Sequence, residues 1–209
     1  AQKEDIGIAL SFDGIQPAHD AHRRTSDGQG TYDLVLPRLR ALLKCKPYSS
    51  VIMVINPDTV QYLTDSVQFL FDEGVRYLIV ALNYAATWDS NSLQLLEKMY
   101  RQLAKLYVKW SLDGRKFYLS PFEVKIASHI KDKQAGQLRC DPGIRQISVD
   151  PDGYLYPCVQ FPTAGPQSRF CIGHVNKGID SQAFDAFRRE SCTPRMPCKE
   201  CAIESRCLY

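Results

Sequence analysis

The sequence has 209 residues, of which 44% are hydrophobic and 23% are charged, and its 26 Lys and Arg residues barely exceed its 23 Asp and Glu residues. This composition is typical of a globular protein and argues against a disordered chain or one that coats nucleic acid. The longest apolar runs, VIMVI and YLIVAL, are far shorter than the roughly 20 residues that span a bilayer, so we expect a cytoplasmic protein without a membrane segment.

The first half of the chain alternates short apolar runs with amphipathic segments. We predict strands over residues 5–12, 50–56 and 76–84, each followed by a helix, with helices over 31–46, from Pro57 to Gly74, and over 91–110. Thr31 is expected to cap the first of these helices, and Gly74 to end the second. This βαβαβα order with continuous apolar strands is typical of a parallel sheet covered by helices.

The composition changes after Gly114, where Gly, Pro and Cys become frequent. Short strands are predicted over residues 144–149, 154–156 and 170–175, followed by a helix over 180–190. We therefore expect a boundary near 115–135, between an α/β domain of residues 1–120 and a small cysteine-rich domain of residues 121–209.

Polar side chains follow each predicted strand of the α/β part. The candidates are Ser11, Asp13, Asn56, Asn83 and Tyr84. In a parallel α/β sheet, functional residues collect where strands end and loops begin. Arg23, in the loop after the first strand, could hold a ligand carboxylate with its planar guanidinium. The simpler interpretation is that the Asp-Gly pair forms a turn and that the Asn side chains satisfy the loop backbone.

Seven of the eight cysteines lie in the last 70 residues. Cys140 and Cys158 flank a predicted hairpin, VDPDGYLYP, while Cys198, Cys201 and Cys207 form a C-x2-C-x5-C motif. A two-residue gap lets neighbouring thiolates turn toward one metal, as in zinc knuckles and iron–sulfur loops. Metal ligation therefore explains these five cysteines better than packing as small hydrophobic residues does.

The remaining cysteines and the histidines lack such spacing. We expect Cys45 and Cys171 to be packing residues, while the role of Cys192 stays open. The histidines are expected to be surface or turn residues rather than ligands; they are His19, His22, His129 and His174.

Two motifs together resemble radical S-adenosylmethionine (AdoMet) enzymes. SFDGIQPAHDAHRR followed by GQGTYDLVLPRL is similar to the fourth-strand region of their barrel, which carries S-x-D-G, then H-D and R, then G-x-G/S and an aromatic residue. The pattern C-x12-G-x4-C, followed by C-x2-C-x5-C, resembles the SPASM extension that carries auxiliary [4Fe–4S] clusters in peptide and protein maturases. The resemblance covers nearly the whole chain and implies half of a parallel β/α barrel followed by a SPASM-like module.

The resemblance also implies roles for individual residues. Ser11 and Arg23 would contact the carboxylate end of AdoMet, with Asp13 supporting their loop. The first auxiliary cluster would be held by Cys140 and Cys158, and the second by Cys198, Cys201 and Cys207. The substrate would be a peptide or a protein.

Three departures from the family pattern qualify these expectations. The C-x3-C-x2-C motif, whose cluster cleaves AdoMet, is absent, and the cysteine tail lacks the last family cysteines. We therefore interpret the sequence as a fragment that forms no 5′-deoxyadenosyl radical alone, and whose open half-barrel either self-associates or is covered by the cysteine module. Val159 stands where the sulfatase-maturing branch has a catalytic Asp, which favours another peptide-modifying branch.

Two alternatives use the same cysteines differently. A zinc-binding α/β interaction module would present the C-x2-C-x5-C motif to a partner protein, since thiolates suit both zinc and iron–sulfur clusters. An ordinary thiol redox protein is disfavoured, because Cys198 and Cys201 do not follow a strand of a thioredoxin-like βαβ unit.

Overall fold

The structure is a computed structural model that describes residues 7–130, 142–162, 165–191 and 200. The chain divides into two compact units, Ala1–Ala127 and Ser128–Tyr209. None of the described helices is both long and apolar enough to cross a membrane.

The first unit is built on a parallel sheet of four strands in the order β1-β2-β3-β4. The strands are β1 (Ala9–Ser11), β2 (Ser50–Ile55), β3 (Tyr77–Leu82) and β4 (Tyr118–Leu119). The helices are α1 (Gln16–His22), α2 (Tyr32–Cys45), α3 (Leu63–Asp72), α4 (Ser90–Leu112) and α5 (Ser120–Ile130). A 3-10 turn at Val60–Tyr62 precedes α3. The predicted alternation of strands and helices is confirmed.

The fourth strand and α5 extend this alternation beyond the predicted βαβαβα order. β4 has only two residues and pairs with the start of β3, joining Tyr77 with Tyr118 and Leu78 with Leu119. So short a strand has too few positions to show a period in the sequence. The three strand-and-helix pairs predicted from the sequence therefore miss the fourth strand and the helix that follows it.

The core of the first unit lies between one face of the sheet and the helices. Val51, Met53 and Ile55 alternate along β2, and all three are buried. They belong to one cluster with the predicted stripe of α3, whose buried residues include Leu63, Val67, Leu70 and Phe71. Gly74 ends that helix with a φ of +97°, as expected.

The opposite face of the sheet carries the other residues of each strand. The parallel register places Ile52 beside Ile79 and Val54 beside Ala81, and these four residues are half-buried. Because side chains alternate along a strand, Ser11 and Asp13 continue this face at the end of β1. The polar residues at the end of β1 therefore lie on the sheet face opposite the one that packs against the core helices.

The second unit contains a small antiparallel sheet in the order β5-β6-β7-β8. Its elements are β5 (Ser148–Val149), β6 (Tyr154–Tyr156), β7 (Gly173–His174), β8 (Gly178–Ile179) and the helix α6 (Ser181–Ser191). Among the described residues of this unit, Leu155, Ile172 and Phe187 form a buried cluster, and three further Phe side chains pack against them.

Candidate functional site

Asp13 and Arg23 form a bidentate ion pair at the carboxyl end of β1. Arg23 Nε donates to Asp13 Oδ2 at 2.7 Å, and Arg23 Nη2 donates to Asp13 Oδ1 at 2.9 Å. Asp13 is 3% exposed, and its Oδ1 also accepts the backbone N–H of Val54 in β2 at 2.9 Å. The carboxylate thus extends the pairing of β1 with β2 and fixes the plane of the guanidinium at the same time.

This geometry decides which part of Arg23 can meet a ligand. Its Nε edge is occupied by Asp13, so the Nη1 edge remains, and the described residues offer Nη1 no hydrogen-bond partner. The side chain is 27% exposed. A guanidinium held from one side in this way can bind a planar carboxylate from the other.

His19 is next to this ion pair and contacts the backbone of Asp13. The prediction that it is a surface or turn residue is wrong. It is completely buried, with its ring centroid 4.4 Å from that of Phe12. Nδ1 accepts the backbone N–H of Asp13 at 3.2 Å, and Nε2 lies 3.0 Å from Thr31 Oγ1. Since the Thr31 hydroxyl donates to the carbonyl of Arg23 at 2.9 Å, it accepts from Nε2, which assigns the neutral Nε2–H tautomer.

The environment of His19 also opposes its protonation. Burial is the largest influence and lowers the pKa of His19 below its ordinary value. Of the nearby charges, Asp13 and Asp20 raise that pKa, while Arg23 lowers it. The net direction favours the neutral ring that the hydrogen bonds require.

Gly14 lets the loop after β1 approach α3 closely. Its φ is +94°, and a Cβ built there would lie 2.7 Å from Cα of Ser66 and closer still to Cβ of Ser66. The Ser66 hydroxyl accepts the backbone N–H of Ile15 at 3.2 Å. The Asp-Gly pair is therefore more than a turn signal, because no larger residue fits against the helix.

The H-D and G-x-G parts of the sequence motif meet at the start of α2. Asp20 Oδ1 accepts the backbone N–H of Tyr32, the first residue of α2, at 2.9 Å. A Cβ at Gly30 would lie 2.6 Å from Asp20 Oδ1. Thr31 precedes α2 but makes no capping hydrogen bond with its side chain, so the predicted capping role is wrong. Its hydroxyl serves His19 and Arg23 instead.

The other polar strand ends have different surroundings. Ser11 is exposed, and its hydroxyl has no hydrogen-bond partner within the described part of the chain. Asn83 Nδ2 donates to Asn56 Oδ1 at 2.8 Å, while Asn83 Oδ1 accepts the N–H of Ala85 at 3.0 Å. This network directs the amide nitrogen of the 7%-exposed Asn56 away from Asn83. Tyr84 is mostly exposed.

An open groove of about 480 Å³ lies between the loops that follow β2 and β3 and the start of α4. It is lined by Pro57, Asp58, Thr87, Asp89, Asn91, Ser92 and Leu95. His22 Nε2 lies 2.9 Å from Asp58 Oδ1, which connects the end of α1 to this groove. Because all these loops follow strand carboxyl ends, the groove is on the same edge of the sheet as Asp13 and Arg23.

In the second unit, Asp150 organises the hairpin that precedes Cys158. Its Oδ1 accepts the backbone N–H groups of Asp152 at 3.0 Å and Tyr154 at 2.8 Å. The hydroxyl of the buried Tyr156 donates to Oδ2 at 3.2 Å, and burial with this hydrogen bond raises the pKa of Tyr156. Cys158 follows two residues later as a half-buried free thiol.

Most of the predicted metal ligands lie outside the described residues. These are Cys140, Cys198, Cys201 and Cys207, together with the unassigned Cys192. Among the residues that the structure describes, no three His, Cys, Asp or Glu side chains are grouped to hold a metal ion. Cys171 is half-buried beside the carbonyl of Gly173, but Cys45 is exposed at the end of α2, so its predicted packing role is wrong.

Gly153 connects β5 to β6 in this hairpin, with a φ of +92°. Replacing Gly153 by Ala would place a Cβ 2.8 Å from Val175 Cγ2, so we expect about 2 kcal/mol of destabilisation from backbone strain and crowding. Hydrogen exchange of residues 148–156 measures this effect. Gly165→Ala is the matched control, because its φ is +76° and no atom of the described residues lies within 4 Å of the added Cβ. Equal exchange rates in the two variants would contradict the close packing of Gly153.

Comparisons with known proteins found one curated relative and several similar solved structures. No protein-family model matches the chain. It is 21% identical over 206 residues to a cysteine-type anaerobic sulfatase-maturating enzyme of Clostridium novyi (strain NT), covering 93% of this chain and 54% of the relative. The chain thus spans about half the length of that curated relative.

Solved structures of anSMEcpe are among those with a similar fold. The native protein with bound AdoMet and Cp18Cys peptide superposes with a TM-score of 0.75 at 16% identity, covering 99% of this chain and 59% of that one. The native protein with bound AdoMet gives a TM-score of 0.73 at 16% identity, again covering 99% and 59%. The chain therefore has the α/β fold of the corresponding part of these structures. The resemblance to radical AdoMet maturases, which the motifs indicated, is confirmed.

Proposed function

We propose that this chain is part of a radical AdoMet maturase that modifies a peptide or protein. The observation that carries the proposal is the Arg23 guanidinium, which the buried Asp13 holds at the carboxyl end of β1 with one edge left for a ligand. The sequence relative and the similar structures support the same function, because the first is a sulfatase-maturating enzyme and the second were solved with bound AdoMet.

The residues of the first unit fit the amino acid end of AdoMet. A carboxylate on the Nη1 edge of Arg23 would gain two charge-assisted hydrogen bonds without displacing Asp13. Ser11, with its exposed hydroxyl, is the second proposed contact, and the amide nitrogen of Asn56, whose oxygen accepts from Asn83, is a further proposed donor on the same sheet face. When bound, AdoMet supplies the radical chemistry, while these side chains bind and orient it.

We propose that the cysteines of the second unit hold two auxiliary [4Fe–4S] clusters, Cys140 and Cys158 contributing to the first. Cys198, Cys201 and Cys207 would contribute to the second. The half-buried thiol of Cys158 supports this assignment, because it follows a hairpin fixed by three hydrogen bonds to Asp150. Partial burial shields a thiolate-held cluster from solvent and helps to set its potential.

The proposed type of modification depends on one residue, Val159, which follows Cys158. Val159 is 74% exposed and carries no group that can accept or donate a proton. If the region around Val159 meets the substrate, proton transfer must come from another residue. We therefore propose a peptide modification that does not use an acidic residue at position 159.

The metal content of anaerobically prepared protein tests this function against the zinc-binding alternative. We expect a brown protein that contains iron and sulfide, and we expect Cys158→Ser to lower both contents. Cys45→Ser is the matched control and should leave them unchanged, because Cys45 is an exposed thiol outside the proposed cluster sites. A colourless protein with stoichiometric zinc, lowered by Cys158→Ser, would establish the zinc module instead.

A further inference from the structure

We propose that His19 is a positioning residue for Arg23, and that its neutral Nε2–H form locks the ligand-carboxylate site and makes ligand affinity depend on pH. The inference builds on the proposed function, because the ligand whose carboxylate is measured is AdoMet. His19 itself touches neither the free edge of Arg23 nor the groove, so its effect is transmitted through Asp13 and Thr31.

The lock is a closed ring of hydrogen bonds within the loop from Asp13 to Thr31. Asp13 N–H donates to His19 Nδ1, His19 Nε2–H donates to Thr31 Oγ1, and Thr31 Oγ1 donates to the Arg23 carbonyl. The side chain of Arg23 then closes the ring on the Asp13 carboxylate. Backbone bonds reinforce it, since Arg23 N–H donates to the His19 carbonyl at 2.9 Å. Both ends of the ion pair are thus fixed through one imidazole.

The ring tolerates only the neutral imidazole. Protonation would place a hydrogen on Nδ1, directly opposite the N–H of Asp13, and two donors would then face each other across 3.2 Å. Restoring a hydrogen bond would require the Asp13 backbone to move, and the Asp13 carboxylate and Arg23 would move with it. The ligand-binding edge of Arg23 would lose its fixed orientation.

The charged and titratable groups that face His19 come from every element around it. Asp13 and Arg23 flank it from the two ends of the loop, Asp20 is its neighbour in α1, and the ring of Tyr32 in α2 lies 6.2 Å away edge-on. Both carboxylates raise the pKa of His19, but burial outweighs them and lowers it. The folded state therefore takes up this proton less readily than the unfolded chain does.

The sign of the pH effect follows from that direction. Because the pKa in the folded state is lowered, stability is fully present above the ordinary His pKa of about 6.5 and is lost as the pH falls below it. Affinity for a carboxylate ligand should fall only as the pH approaches the lowered pKa of His19 in the folded state, at the acid end of this range. We expect affinity to decrease about tenfold, the effect of losing one well-aligned hydrogen bond.

The test compares AdoMet affinity in the full-length protein from about pH 8 down to the lowest pH at which the protein stays folded, so that the range includes the lowered pKa of His19. His19→Asn offers an amide oxygen near the position of Nδ1 but does not titrate, so we expect its affinity to be independent of pH. His22→Asn is the control and should keep the wild-type pH dependence, because His22 is an exposed partner of Asp58. A wild-type slope that persists in His19→Asn would overturn the proposal, as would a wild-type protein without any slope.

A second measurement separates this proposal from the function on which it rests. The ¹⁵N NMR signals of the His19 ring report its tautomer and pKa without any ligand. We expect the Nε2–H form with a lowered pKa, and Thr31→Val should disturb that signal by removing the hydroxyl partner. If AdoMet does not bind at any pH but this signature is present, the proposed function fails while the lock stands. An Nδ1–H tautomer or an ordinary pKa would overturn the lock.

Discussion

Gly14→Ala is expected to lower the free energy of unfolding of the first unit by about 4 kcal/mol. A left-handed alanine costs about 1 kcal/mol, and inserting a methyl group into a packed site costs about 1 to 3 kcal/mol. The upper end applies here because the added Cβ would lie 2.7 Å from a backbone atom of Ser66, which cannot move without shifting α3. The ion pair of the preceding residue, Asp13, should be displaced in the same variant.

Gly74→Ala is the control that isolates the effect of crowding. Its φ of +97° nearly equals the +94° of Gly14, yet in the part of the chain that the structure describes no atom lies within 4 Å of the added Cβ. We expect a loss of about 1 kcal/mol, from backbone strain alone. Denaturant unfolding followed by tryptophan fluorescence is selective, because both tryptophans of the chain, Trp88 and Trp110, lie in the first unit. Equal losses in the two variants would contradict the contact between Gly14 and α3.

Asp13→Ala is the second large effect, with an expected loss of about 3 kcal/mol. The substitution leaves the Val54 N–H without its acceptor and Arg23 without its partner in a mostly buried setting. An orphaned buried donor costs about 1 to 3 kcal/mol, and breaking a buried ion pair costs about 3 to 5 kcal/mol. The expected loss lies below the sum of these two costs because the Arg23 side chain, 27% exposed, can regain some hydration after its partner is removed.

A surface ion pair provides the control for Asp13. Glu97 and Arg101 are 64% and 76% exposed on α4, so Glu97→Gln should change stability by less than about 1 kcal/mol. Asp13→Asn should fall between the two variants, because it retains an acceptor for Val54 but turns an amide N–H toward Arg23. Fluorescence-detected unfolding ranks the three variants, and a loss in Asp13→Ala no larger than in Glu97→Gln would contradict the structural role of the pair.

The strands and helices that the sequence predicts correctly are those with strong hydrophobic periods. β2 and β3 are continuous apolar runs, and α3 carries its buried residues three and four positions apart. β4 escapes such analysis because two residues have no period. Its place is set by pairing with β3, a contact between residues about 40 positions apart.

At the candidate site, too, residue type and motif predict some of the residues, while their geometry depends on contacts that the sequence does not show. Asp13 and Arg23 are predicted from residue type and from the resemblance, but the edge that Arg23 offers depends on which nitrogen Asp13 occupies. His19 is missed because one histidine in a polar loop carries no pattern, and its burial follows from the packing of Phe12 and Tyr32 around it. A hint was present in the sequence, since His19 stands beside Asp20 within the motif that supports the resemblance.

The order of residues in the loop after β1 now has a physical explanation. Gly14 allows contact with α3, Asp20 holds the start of α2, and Gly30 leaves room for the carboxylate of Asp20. These three residues support the loop through contacts within the protein. Their combined effect is to give Asp13 and Arg23 one orientation at the strand end, which is what binding a carboxylate with defined geometry requires.

The central claim, that the free edge of Arg23 binds the carboxylate of AdoMet, is tested most directly by a binding cycle. AdoMet and decarboxylated AdoMet are titrated into the full-length wild-type protein and into its Arg23→Lys variant. Lysine keeps a positive charge beside Asp13 but lacks the planar second edge of the guanidinium. In the wild type we expect AdoMet to bind about 10- to 100-fold more tightly than the decarboxylated compound, the effect of a charge-assisted bidentate contact. In Arg23→Lys most of this preference should disappear. Equal affinities for the two compounds in the wild type, or a preference unchanged in Arg23→Lys, would contradict the claim.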